Sequence, residues 1–540
     1  MPTVILDNAT VTGVTSGSTN RFLGIPFAQP PTGNLRFRLP QPLPPYNTNF
    51  TSFEYGPACP QQPPFSHPWP SNLPPETIDY LTIVLFNTVT SAEDCLTLNV
   101  ITPADATPES KLPVLVVSSE VPLPIFALLN YDVWMVTPSW KRSIALGDPI
   151  VYVGMNFRTQ LFFGLLRADA CVAFGFLASQ EVKDAGVGNL GLQDQRLALR
   201  WVQKYIGAFG GDPTKVTIWG ASSGAVSVAL HMVTNGGNPQ GLFRAAFMQS
   251  GAPVLLGDIT DGQSYYDALV AETGCSGAND TLQCLREVPY DTLLNAVNMS
   301  PGVLSYQSAH LAWIPRVDGV FLTAEPLHLV QQGAFADIPF ISGNCDDEGT
   351  PFLLGTINIT TDAQFEEYIK TYYVPNASRS MIEQVTRYYP SDPTQGSPFD
   401  TGYLNVLTPQ SKRIAAIEGD VIFQAPRRWL VQNRSGKQAI WTYLNKRLKL
   451  VPFLGSFHAH DVPEIYGGSD MASYLVRFVA NLDPNNGEST DLYWPQYNAA
   501  DQTMLELLDG LVPQTLTTDT YRVEQMGYLI NVMLSMVNSS

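Results

Sequence analysis

The sequence predicts an α/β fold: a large, mostly parallel central sheet with helices on both faces. Three observations lead to it. Apolar runs at Leu112 to Val117, Ile150 to Val153, Val216 to Trp219, Ala245 to Gln249 and Pro339 to Ser342 look like buried strands followed by helices. That alternation favours a largely parallel sheet covered on both sides. Between two of the runs, Leu190 to Phe209 carries Leu192, Leu197, Leu199, Trp201, Val202 and Ile206 among polar residues, the pattern of an amphipathic helix. No internal repeat and no long linker interrupts the chain, and glycine and proline are scattered as turn punctuation, so residues 1–540 are expected to form one domain.

Composition narrows the function classes. Hydrophobic residues make up 45% and charged residues 14% of the 540, which provides a sizeable core and too little charge for a disordered chain. The net charge of −18 repels phosphate backbones, and the 30 Lys and Arg form no basic run, so nucleic acid is not expected as a partner. Every apolar stretch is interrupted before the ~18 to 20 residues of a membrane-spanning helix. The N-terminus Met1-Pro2-Thr3-Val4 reads as no secretory signal. Two features nevertheless point outside the cell. Eight glycan acceptor sequons begin at Asn8, Asn49, Asn279, Asn298, Asn358, Asn376, Asn433 and Asn538, and the six cysteines include the spaced pairs Cys59 with Cys95 and Cys275 with Cys284. The expectation is a secreted protein whose leader has been removed.

The chemistry centres on Gly220-Ala221-Ser222-Ser223-Gly224. The motif Gly-x-Ser-x-Gly is weak by itself, but here the apolar run Val216 to Trp219 leads in and the helix-forming run Ala225 to Val233 leads out. That is the strand-turn-helix of a nucleophile elbow. Serine is a poor nucleophile unless a base takes its proton and a carboxylate orients the base. In α/β-hydrolases the acid and then the histidine follow the serine along the chain. Downstream histidines are His231, His310, His328, His458 and His460. The Gly- and polar-rich stretch Leu454 to Asp461 presents His458 and His460, which spacing does not separate. For the acid, Asp346, Asp347 and Glu348 stand just after a predicted strand end. No His-Glu-x-x-His, Cys-x-x-Cys or glycine-rich phosphate loop occurs, so neither a metal nor an organic cofactor is expected.

These residues, together with Phe22 to Ala28, Ser91 to Val100, Asn189-Leu190-Gly191-Leu192-Gln193-Asp194-Gln195 and Phe209 to Pro213, resemble the type-B carboxylesterase and lipase family, nearest its fungal lipase and sterol-esterase branch. The resemblance runs over nearly the whole chain. It implies the α/β-hydrolase fold and the cleavage of carboxylic esters, with an ester or lipid substrate met at a lipid–water interface. It assigns Ser222 as nucleophile, Glu348 as acid and His458 as base, and makes His460 and Asp347 bystanders. It also implies disulfides Cys59 to Cys95 and Cys275 to Cys284, leaves Cys345 as a free buried thiol, and gives Cys171 no counterpart. The loop from Cys59 to Cys95, rich in exposed-looking apolar residues from Phe65 to Phe86, resembles a lid that opens at a lipid surface; burial under neighbouring loops is the competing reading.

The chain departs from the family in two segments. The backbone N–H of Ser223 supplies one donor for the oxyanion. The family's other donors come from a glycine-rich loop, and here that stretch reads Val117-Ser118-Ser119-Glu120-Val121-Pro122-Leu123-Pro124, without glycine and with prolines that lack an N–H. Thr159 to Val172 is the second departure, inserted between blocks that the family joins almost directly. Codons for Val117 to Leu123 read in another frame can encode Phe-Ile-Gly-Gly-Ala-Phe, the loop the family would carry. We therefore read a local frame error and a retained intron, which sequencing the transcript tests. Smaller departures are Ala221, where the family usually has Glu, and Ser223, where it usually has Ala. The alternative to an enzyme is a catalytically silent, cholinesterase-like binding protein that kept the fold and lost the oxyanion hole.

Overall fold

The computed structural model describes residues 1–62, 73–75, 77–78, 91–118, 138–158, 173–485 and 492–537. Most of the expected lid loop, most of the 117–140 segment, all of 159–172 with Cys171, and the sequon at Asn538 therefore lie outside the described residues.

Fourteen strands occur among the described residues. They are β1 (Thr3–Leu6), β2 (Ala9–Thr12), β3 (Val14–Ser16), β4 (Thr19–Pro26), β5 (Phe50–Thr51), β6 (Thr97–Pro103), β7 (Leu112–Val117), β8 (Val151–Met155), β9 (Gly211–Ala221), β10 (Ala245–Gln249), β11 (Phe340–Cys345), β12 (Ile440–Asn445), β13 (Thr503–Leu507) and β14 (Gln514–Thr518). Eleven build one sheet in the order β14-β13-β12-β11-β10-β9-β7-β8-β6-β4-β3, and β1, β2 and β5 form a small separate sheet. From β8 through β13 every neighbouring pair is parallel. The flanking pairs β13–β14, β8–β6, β6–β4 and β4–β3 are antiparallel. Every residue of β8, β10, β11 and β12 is buried, and β8 and β10 are accordingly near-continuous apolar runs without alternation, whereas β11 and β12 also bury Ser342, Asn344, Thr442 and Asn445.

The five strands expected from sequence all occur, with β9 and β11 longer than their apolar runs. Helices cover both faces of the sheet. Those that bear on the site are α1 (Leu190–Tyr205), α2 (Ser223–Gly237), α3 (Asp362–Tyr372), α4 (Ser411–Gly419), α5 (Ala425–Arg434) and α6 (Val523–Val537). The helix expected over Leu190 to Phe209 is α1 followed by a tighter 3₁₀ turn at Ile206–Phe209, and it buries Leu192, Leu199 and Val202. Among the described residues no helix is long and apolar enough to cross a membrane. Parallel strands bring their C-terminal ends to one edge, so the loops after β9, β11 and β12 converge there.

Candidate active site

Strand β9 ends at Ala221 and α2 begins at Ser223, which leaves Ser222 alone in the turn with φ 56° and ψ −123°. Few non-glycine residues tolerate positive φ, and such strain persists only where the surroundings enforce it. Here the Ser222 N–H donates to the Gln249 carbonyl (2.8 Å) and its carbonyl accepts from the Val226 N–H (2.9 Å). Two glycines make room. A Cβ on Gly220 would lie 2.2 Å from the Gly224 carbonyl carbon, and one on Gly251 would lie 2.6 Å from the Ser222 carbonyl oxygen. Gly251 lies outside the five-residue motif, and its role becomes visible only when β10 is laid beside β9.

Glu348 follows β11 and His458 follows β12. The Glu348 carboxylate is aimed by its own loop: Oε1 accepts from the Cys345 N–H (2.7 Å) and from Asn344 Nδ2 (3.3 Å). Oε2 meets His458 Nδ1 in a short hydrogen bond, and His458 Nε2 stands 2.8 Å from Ser222 Oγ. All three side chains are buried. This pattern assigns the proton of a neutral imidazole to Nδ1, donating to Glu348, and leaves Nε2 to accept from the serine hydroxyl. The rings of Phe423 and Phe352 flank the imidazole, with centroids 4.4 and 5.3 Å away. Nothing in the sequence beyond their apolar character singled them out.

His460 is directed elsewhere. The chain turns at Ala459 (φ 66°), the His460 Nδ1–H donates to the Phe457 carbonyl (2.8 Å), and burial pushes the imidazole below its ordinary pKa. Asp346 and Asp347 also turn away from His458, toward Lys449. Of the candidates left open by spacing, the fold therefore brings together Ser222, Glu348 and His458.

The acid loop lies directly on α4: a Cβ on Gly349 would fall 1.9 Å from the Ala415 carbonyl oxygen. One turn along, Glu418 is fully buried and accepts hydrogen bonds from Tyr368 (2.6 Å) and Tyr373 (3.0 Å). Burial pushes its carboxyl up to about 7, against the opposing effect of the tyrosine hydroxyls. A raised carboxyl keeps its proton in the folded chain while the unfolded chain ionises. Its contribution to stability is thus complete below about pH 4.5 and is lost as pH rises through about 7. Glu418→Gln, which cannot ionise, is expected to abolish that fall. Denaturant unfolding at pH 4.5 and pH 8 should show the parent losing about 3 kcal/mol more than the variant over this range.

Ser222 opens onto a cavity of about 1250 Å³. Its lining includes the apolar side chains Phe157, Val226, Phe352 and Phe423, with Met533 and Met536 contributed by α6. Lys183, Asp258, Asp261 and His328 also line it. The Ser223 N–H is the first of α2, where amides have no acceptor within the helix and the dipole favours negative charge. Of the expected glycine-poor loop, Val117 ends β7 and the Ser118 N–H donates to the Trp219 carbonyl (2.9 Å); Ser119 to Pro124 lie outside the described residues. Both expected disulfides occur, Cys59–Cys95 and Cys275–Cys284, and Cys345 is a buried free thiol. Within the first disulfide loop Leu73 is buried and Ile78 packs half-buried against the core.

The profile of the carboxylesterase family matches residues 2–118 and 171–524 and omits 119–170, which holds most of both anomalous segments. Lipase 4 of Diutina rugosa is 41% identical over 526 residues, covering 94% of this chain and 91% of its own. Secreted lipase 1 of Botryotinia fuckeliana is 40% identical, covering 93% and 88%. The crystal structure of EstA of Aspergillus niger superposes with a TM-score of 0.80 at 27% identity over 99% of both chains. The chain belongs to the carboxylesterase family, and it is a carboxylic ester hydrolase.

Proposed function

We propose that this protein is a secreted serine esterase of the lipase type that works through an acyl-enzyme on Ser222. The observation that carries the reading is the unbroken line from Glu348 through His458 to Ser222, which lines a cavity of mixed apolar and polar walls. His458 Nε2 takes the hydroxyl proton as Ser222 Oγ attacks the ester carbonyl, and Glu348 stabilises the imidazolium. The Ser223 N–H faces the developing oxyanion. His458 then returns the proton to the leaving alcohol, and water, deprotonated by the same imidazole, releases the acid and restores Ser222. No cofactor enters these steps. The apolar walls favour a long acyl chain. Two disulfides and the relatives named as secreted lipases support an extracellular location. The loop between Cys59 and Cys95 serves in this reading as a lid.

The atypical segment after Val117 sets the expected rate. Loss of one oxyanion donor costs about 10²- to 10³-fold in turnover. The chain as written is therefore expected to turn over about 10²- to 10³-fold more slowly than a version with Phe-Ile-Gly-Gly-Ala-Phe in that position. Labelling of the purified protein by a fluorophosphonate, with hydrolysis of short and long p-nitrophenyl esters, tests the reading. Labelling at Ser222 and turnover that grows with acyl length support it. A folded protein that neither labels nor hydrolyses would instead be the silent binding protein.

A further inference from the structure

The residue beside the acid joins the two loops that must meet for the site to form. Asp347 is fully buried, and two other segments converge on its carboxylate. Oδ1 accepts from the Phe399 N–H (2.7 Å) and from Ser397 Oγ (3.0 Å). Oδ2 accepts from Lys449 Nζ (2.7 Å) and from the Ser456 N–H (2.8 Å). Lys449 and Ser456 both belong to the segment that leaves β12 and carries His458. The backbones meet as well: the Asp347 N–H donates to the Ser456 carbonyl (2.8 Å), and Thr350 Oγ1 donates to the carbonyls of Leu454 (2.7 Å) and Asp347 (3.0 Å). Gly455 allows this approach, since a Cβ there would fall 2.3 Å from Asp347 Oδ2 at a φ of +60°.

We infer that Asp347 is a positioning residue for His458: its ionised carboxylate clamps the histidine loop onto the acid loop through Ser456 and Lys449. The inference rests on the proposed roles of Ser222, Glu348 and His458. It has a physical consequence in pH. Burial, and next the neighbouring Asp346 charge, push the Asp347 carboxyl up to about 6 against the pull of Lys449. The other charges facing this cluster are Lys412, Lys446 and Arg522. Protonation of Asp347 removes one acceptor and the charge that holds Lys449, so the clamp loosens as pH falls through about 6.

Asp347→Asn keeps the size of the side chain and removes its charge. It is expected to lower kcat about 10- to 100-fold, the cost of a small misplacement of a catalytic group, with KM within about twofold. Rates are taken per site titrated with a fluorophosphonate, so a loss of folded protein does not count. Lys449→Met leaves Asp347 buried without its cation. It is expected to move the acid limb of kcat upward by about one pH unit, and Lys449→Arg to restore it. Hydrogen-exchange protection of the 454–460 segment, which needs no turnover and is taken relative to the intrinsic amide rate at each pH, is expected to fall in Asp347→Asn and at acid pH in the parent. A parent that fails to label at Ser222 removes the proposed function, and the exchange measurement then decides the clamp alone. Parental kcat per site, parental acid limb or unchanged exchange in Asp347→Asn and Lys449→Met would overturn the inference.

Discussion

Ser222→Ala is expected to lower kcat for ester hydrolysis by about 10⁶-fold, the loss seen when the nucleophile of a comparable triad is removed. The hydroxyl supplies the attacking atom, and it is the one held 2.8 Å from the His458 imidazole. The turn itself stays intact. Ser222 is held by backbone bonds to Gln249 and Val226, which alanine keeps, and the clearance comes from Gly220 and Gly251. The unfolding transition is therefore expected to stay close to that of the parent. Steady-state kinetics with circular dichroism of the same samples checks both halves. A variant that keeps a tenth of parental kcat would mean that another group carries the chemistry.

Glu348→Gln is expected to cost about 10⁴-fold in kcat with little change in KM, the magnitude found when a triad carboxylate is replaced by its amide. The reason lies in which nitrogen of His458 holds the proton. The Cys345 N–H and Asn344 Nδ2 donate to one side of the acid, so they will engage the Gln carbonyl oxygen and turn the amide NH₂ toward His458 Nδ1. That nitrogen must then accept, which moves the ring proton to Nε2 and points it at Ser222, where an acceptor is needed. The rate of fluorophosphonate labelling should fall in parallel, because it draws on the same base. A loss of less than tenfold would show that Glu348 does no more than fill space beside the ring.

Both expectations combine features of very different visibility in the chain. The elbow is local: the run Val216 to Trp219, two glycines and a following helix stand within about a dozen residues, and each step is a propensity or a steric requirement. The buried strands β7, β8 and β10 were legible because a strand covered on both faces is largely apolar; β12, equally buried, was hidden by Thr442 and Asn445, whose side chains are hydrogen-bonded inside the core. Strands β4, β12, β13 and β14 did not stand out as such runs. The antiparallel members of the sheet lie toward its edges, where less of a strand is covered; in β14, for example, Leu516 and Thr518 are exposed and the other three residues only half-buried.

Residue types by themselves marked Ser222 and the carboxylate-rich stretch from Asp346 to Glu348, and resemblance to the family chose among the candidates. Only the tertiary structure decides which groups touch. Glu348 and His458 are 110 residues apart, and His458 and Ser222 are 236 apart. Such separations close through the order of β9, β10, β11 and β12 in the sheet, which no local pattern encodes. The left-handed turn at Ala459 separates His458 from His460, and the hydrogen bonds around Asp347 separate a clamp from a bystander. Sequence determines what each segment buries and where it turns. The long-range register of parallel strands determines which side chains stand within 3 Å of each other, because the free energy that sets it belongs to the whole core.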